Sequence, residues 1–214
     1  MNVITQPFLD QEPRWPRSGR HILAQFDDET VVVYQAYRPE IGHFAAQHGS
    51  FGDGFSLSRM SWIKPNFLWM MYRSGWGTKE GQEVTLALRL RRDAFDEILS
   101  LAVHSAFVPD IYGPLEGWKR AVASSDVRLQ WDPDHGPSGS PLERRAIQLG
   151  MRGNVLARYA KEWLVGVEDV SGLVSEQRTN AVVPFERLVT PGEDVYPVAD
   201  PELAARLGCS VWEG

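Results

Sequence analysis

Apolar positions change their period several times along the chain, and each change marks an element. Thr30-Val-Val-Val-Tyr-Gln-Ala-Tyr37 is almost wholly β-branched or aromatic and predicts a buried strand. Pro39 followed by Ile41, Phe44 and Ala45 predicts a short helix ending near Gly49, because proline suits a first helical turn and glycine the position past the last. The same signs, Pro65 before and Gly75 after Phe67, Leu68, Met70 and Met71, predict a helix over 65–74 with Trp69 and Trp76 near its flanks. Val84 to Leu90 alternates as a strand, Arg92 to Val103 has helical spacing, and Val127 to Trp131 is strand-like. Ala146 to Leu149 is a candidate further strand, Asn154 to Lys161 is helical, and Glu162 to Val170 returns to strand.

The two ends read differently. Residues 1–20, rich in Pro, Arg and polar groups, are expected to form an N-terminal arm, with order beginning at Ile22 to Phe26 and a turn over Gln25 to Glu29. Residues 171–214, with Pro184, Pro191, Pro197 and Pro201, are expected to be mainly irregular closing segments. The expected fold is therefore α+β: one compact domain over 21–214, a mixed or antiparallel sheet with flanking helices, and no repeat.

Composition narrows the function classes. With 214 residues and 43% hydrophobic content the chain can bury one sizeable core. A formal charge of −6 argues against coating duplex nucleic acid with the whole surface, so any such contact is expected in a local basic cleft. The single cysteine, Cys209, excludes an intrachain disulfide and a Cys-rich metal site. The five histidines show no ligand spacing, and no metal is expected. No apolar run approaches the roughly 18 residues of a membrane span, and the first residues lack a signal-peptide core, which makes the cytoplasm the expected location. Gly-x-Ser-x-Gly, Walker and Gly-x-Gly-x-x-Gly patterns are absent, and with them the usual entry to hydrolase, P-loop and Rossmann readings.

The chemistry concentrates in Arg59 to Trp76, where Trp62, Trp69 and Trp76 stand seven residues apart among Arg59, Lys64 and Arg73. Guanidinium forks grip phosphate oxygens and flat rings stack on flat rings, so the pattern points to phosphates, bases or a nicotinamide dinucleotide. Ser74 and the Gly75/Gly77 turn are candidates to bring further donors to a pyrophosphate. The alternative is that Trp62, Trp69, Met70 and Met71 are core, that Arg73 complements the helix C-terminus, and that Arg59 and Lys64 are ordinary surface cations.

In Val127 to Asp134, strand alternation places Arg128, Gln130 and Asp132 on one face. Asp132 is a candidate to orient a substrate hydroxyl or stabilise a developing cation, with Gln130 holding it; the alternative is a strand-ending Asp-Pro turn. Glu83 is the rival acid. Arg144, Arg145 and Gln148 either complete an anion pocket or pair with nearby acids.

Val33 to Tyr37, Arg59 to Trp76, Val127 to Pro133 and Glu162 to Asp169 together resemble the domain-of-unknown-function 4291 family over roughly residues 20–175. More distantly the order of Tyr34-Gln35, Ile41 to Gly49 and Phe55 to Tyr72 resembles the ADP-ribosyltransferase fold, in which Gln130-Trp131-Asp132 looks like a shortened Gln-x-Glu pattern. That resemblance implies a nucleotide-using transferase. Nicotinamide would leave NAD while Asp132 or Glu83 stabilises the ribosyl cation. Gln35 would act on the first strand, and Tyr34, Arg59, Trp62, Lys64, Trp69, Arg73, Ser74, Gln130 and Arg145 would hold the dinucleotide. Gln35 stands where the fold usually has His or Arg, and Asp132 is one methylene shorter than the usual Glu. The other function class is a noncatalytic binder of RNA or single-stranded DNA, whose bases the same rings would stack on.

Overall fold

The strand read from Thr30 to Tyr37 lies at the centre of the molecule, in a computed structural model that describes residues 3–212. In chain order the elements begin with β1 (Thr5–Pro7), α1 (Phe8–Gln11), β2 (Gly19–Arg20), β3 (Leu23–Ala24), β4 (Thr30–Tyr37), α2 (Pro39–His48) and β5 (Ser61–Ile63). They continue with α3 (Phe67–Ser74), β6 (Val84–Arg91), α4 (Arg92–Leu101), β7 (Ala102–His104), α5 (Pro109–Tyr112), α6 (Leu115–Ser124) and β8 (Val127–His135). The last are β9 (Pro141–Met151), α7 (Gly153–Arg158), β10 (Leu164–Asp169), α8 (Ser171–Asn180), β11 (Val189–Pro191), β12 (Asp194–Val195) and α9 (Pro201–Leu207).

Two sheets carry the fold. One is antiparallel in the order β10-β6-β4; the other runs β2-β9-β8-β7, with β5 also paired to β9. Alternation gives β4 two buried faces. Val31, Val33 and Tyr37 point into the larger core, shared with Leu86, Leu88 and Leu90 of β6, Phe95 and Ile98 of α4, and Leu129, Ile147 and Leu149 of the second sheet. Val32 and Tyr34 point the other way, onto Phe67, Leu68, Met70 and Met71 of α3 and Val174 of α8. Helix α2 lies close against β6: a Cβ added at Gly42 would fall 2.4 Å from Val84. The result is a single α+β body. Among the described residues no helix is long and apolar enough to cross a membrane.

The ends depart from the reading above. The segment read as an arm is packed in: Phe8 and Trp15 are buried, β1 pairs with β11, and β2 runs beside β9. Residues 171–212 hold two helices, α8 and α9, rather than mainly irregular chain. In α9 the signals were present: Asp200 accepts from the Glu202 N–H at 2.9 Å, Pro201 opens the first turn, and Gly208 closes the helix at φ 76.

Candidate functional site

The two sheets touch where β4 meets the end of β5. Tyr34 N–H donates to the Lys64 carbonyl at 2.7 Å and Lys64 N–H to the Tyr34 carbonyl at 3.2 Å, so Lys64 is fixed by backbone on the seam. A cleft of about 520 Å³ opens there. Gln35 and Tyr37 line it from β4, Ser61 and Trp62 from β5, Gln130 and Gln148 from the second sheet, and Met70 and Arg73 from α3, while the 49–60 loop contributes Phe55 and Arg59. Trp62 can reach this position because its register partner is Gly150; a Cβ there would stand 2.8 Å from the indole.

Three cations, Arg59, Lys64 and Arg73, line this one cleft, and no acidic side chain lines it among the described residues. Arg59 and Arg73 are exposed, but Lys64 is only 6% exposed. Burial first, and then the Arg73 charge, pull the Lys64 ammonium down to about 8, against the opposing pull of Asp132. No protein hydrogen bond or ion pair engages its ammonium among the described residues, and the ammonium meets the open cleft rather than being sealed away. A largely desolvated charge without a protein partner favours an incoming anion or loss of the proton.

The amides around it have fixed polarity. Gln148 faces Gln130 in register and donates Nε2 to Gln130 Oε1 at 2.8 Å and to Asp132 Oδ2 at 2.6 Å. Gln35 donates Nε2 to Ser61 Oγ at 2.8 Å and to the Trp62 carbonyl at 3.0 Å, and its Oε1 accepts from the buried Tyr159 hydroxyl at 2.6 Å. Gln35 thus positions Ser61 and β5, with both amide hydrogens engaged. Asp132 stands behind Gln148, near enough to act on Lys64.

Helix α3 supplies Arg73 and is anchored at its start. Asn66 Oδ1 accepts from the Trp69 N–H at 2.7 Å, and buried Glu193 accepts from the Phe67 N–H at 2.6 Å and from Asn66 Nδ2 at 3.0 Å. Burial is the largest influence on the Glu193 carboxyl and outweighs the donors at Phe67 and Asn66, raising it to about 8. The folded protein then holds a proton that the unfolded chain releases near its ordinary value, so stability falls as pH rises from about 5 through about 8. The expected loss is on the order of 2–4 kcal/mol. Denaturant titrations across that range check it, and Glu193→Gln should flatten the slope.

The chain matches the family described as domain of unknown function (DUF4291) over residues 21–196. It belongs to that family. No curated protein matches it.

In this DUF4291 chain several residues read as cleft groups lie elsewhere. Tyr34 is wholly buried on the opposite face of β4 from Gln35, edge-on to Phe67. Trp69 is buried and stacks with Tyr72 and His135, and Trp76 is turned to Phe67 while its Nε1 donates to the Pro137 carbonyl at 3.2 Å. Ser74 is buried at the end of α3, where its Oγ accepts from the Gly77 N–H, so this turn keeps those groups to itself. Glu83 accepts from the Gly81 N–H at 2.8 Å in an exposed turn. Arg145 is exposed and, by alternation along β9, on the face opposite Gln148. Arg128 is buried and donates to the carbonyls of Ser125 and Val127. The DUF4291 cleft also contains residues that the sequence reading passed over: Tyr37, Phe55, Ser61 and Gln82, with Tyr159 behind them. Tyr37 shares the strand parity of Gln35, which was a usable signal; nothing local marks Tyr159.

Proposed function

We propose that the cleft binds the pyrophosphate of a nucleotide and that the protein is a nucleotide-using transferase of ADP-ribosyltransferase type. The convergence of Arg59, Lys64 and Arg73 on one hollow without a lining carboxylate carries this reading. Phosphate oxygens would satisfy the Lys64 ammonium, and the two arginines would provide planar forks from the 49–60 loop and from α3. Tyr37, Phe55 and Trp62 offer apolar ring surface for a flat group. NAD would supply a ribosyl carbon with nicotinamide as leaving group. Asp132, bonded to Gln148 and outside the cleft lining, would act on the developing positive charge from behind that amide. Trp69 is buried and Trp76 is turned to Phe67, both outside the cleft lining, which leaves one indole rather than a row of three and weighs against a stacking platform for single-stranded nucleic acid.

Calorimetric titration with NAD, ADP-ribose and ADP tests the reading, with assay of released nicotinamide. All three should compete for one site, and Arg73→Ala should weaken each about tenfold, the scale of one charged hydrogen bond. Absence of heat from every nucleotide at millimolar concentration would remove the nucleotide reading. Steeply salt-dependent oligonucleotide binding in its place would select the nucleic-acid alternative.

A further inference from the structure

We propose that Lys64 is a reactive amine that forms an imine with the carbonyl carbon of a phosphate-bearing aldehyde held in the cleft. The inference rests on the Arg59 and Arg73 share of the anion site proposed above, with Lys64 acting in its neutral form, and does not need NAD. Its geometric basis is the seat of the side chain. The Lys64 backbone is held on both sides by Tyr34, so the amine projects from a fixed point. It lines an open cleft although the residue is 6% exposed, and no hydrogen bond or ion pair engages it among the described residues.

The other three lysines are placed otherwise. Lys79 donates to the Arg73 carbonyl at 2.6 Å, Lys119 lies 3.9 Å from Glu116, and Lys161 is exposed. An amine that is desolvated and set beside a second cation is activated as a nucleophile, because both influences favour its neutral form. Here burial and Arg73 act in that sense and Asp132 acts against them, leaving a useful neutral fraction near neutral pH. Arg59 and Arg73 remain for the phosphate.

The step is balanced without a further reactant. The neutral Lys64 nitrogen adds to the carbonyl carbon, a proton passes from nitrogen to oxygen, and the carbinolamine loses water as the C–O bond breaks and C=N forms. An open-chain aldose phosphate has the required chemistry.

Pyridoxal 5′-phosphate with cyanoborohydride, followed by peptide mapping of the full chain, tests this. Lys64 should be modified at least tenfold faster than Lys79, Lys119 or Lys161, pyridoxal without its phosphate should show no such preference, and ADP should slow the Lys64 reaction. Equal modification of the four lysines, or none at Lys64, overturns the proposal. Calorimetry with ADP on unmodified protein separates the two ideas: binding of ADP without preferential modification removes the imine alone. No ADP binding together with preferential modification removes the nucleotide reading and leaves the amine.

Discussion

Lys64→Met should lower affinity for a pyrophosphate-bearing nucleotide by roughly 10- to 100-fold and at the same time raise the unfolding free energy at pH 7, a pairing that few substitutions give. The two effects share one cause. In the free protein the side chain is largely desolvated with no protein partner for its ammonium, and burial pulls it down to about 8. The unfolded chain binds that proton more readily than the folded one between about 8 and 10.5, so the penalty is full below about 8 and disappears as pH rises through 10.5. Methionine keeps the unbranched length and discards the charge, for an expected gain of about 1–3 kcal/mol at pH 7. Urea titrations at pH 7 and pH 10.5 check the stability half: the gain should shrink at the higher pH. A variant that binds nucleotide like the parent protein would mean that the ammonium is not part of the anion site.

Arg144→Leu should be the most destabilising of the substitutions considered, at about 3–5 kcal/mol, the usual cost of breaking one side of a buried ion pair. Arg144 donates Nε to Asp134 Oδ2 at 2.7 Å, its Nη2 lies 2.6 Å from the same oxygen, and its Nη1 donates to the Pro16 carbonyl at 2.7 Å. The guanidinium also lies over the Trp15 ring. Burial already pushes the Asp134 carboxyl upward against the pull of Arg144. Leucine would leave that carboxyl and the Pro16 carbonyl unmatched in the interior, a large share of the roughly 5–15 kcal/mol that holds an ordinary domain folded. Asp134→Leu combined with Arg144→Met should recover part of the loss, because an apolar pair removes the stranded charge. Denaturation curves of both variants test this, and a single-variant loss under about 1 kcal/mol would contradict it.

Arg144 also shows where reading the sequence stops. Its neighbours in the chain leave an anion pocket and a local ion pair equally open. The choice falls to Asp134 across a hairpin and to a carbonyl near the N-terminus, neither of which periodicity reports. By contrast, β4, α2, α3 and β6 were legible because local chemistry and tertiary packing agree there: a β-branched run, a proline at a helix start, and glycines at Gly49 and Gly75 in left-handed conformation. The three cations of the 59–73 segment were legible as a group. The rings were not, since large aromatics serve a core and a ligand equally well, and Trp69 is buried against His135 of β8 while Trp62 stays at the cleft. Strand parity would have separated Tyr34 from Gln35, but only with knowledge of which face of a doubly buried strand the cleft adjoins.

The segment 5–24 is joined to the distant segment 189–210. Gln11 reaches Thr190, β1 pairs with β11, β3 with β12, and the Arg20 N–H donates to Ser210 Oγ across 190 residues of sequence. During synthesis β1 and β3 must therefore wait, unmatched, until residues 189–195 have left the ribosome. Folding should finish as a late, slow step governed by these distant pairings, and removing either segment should expose the partner edge of the other to aggregation.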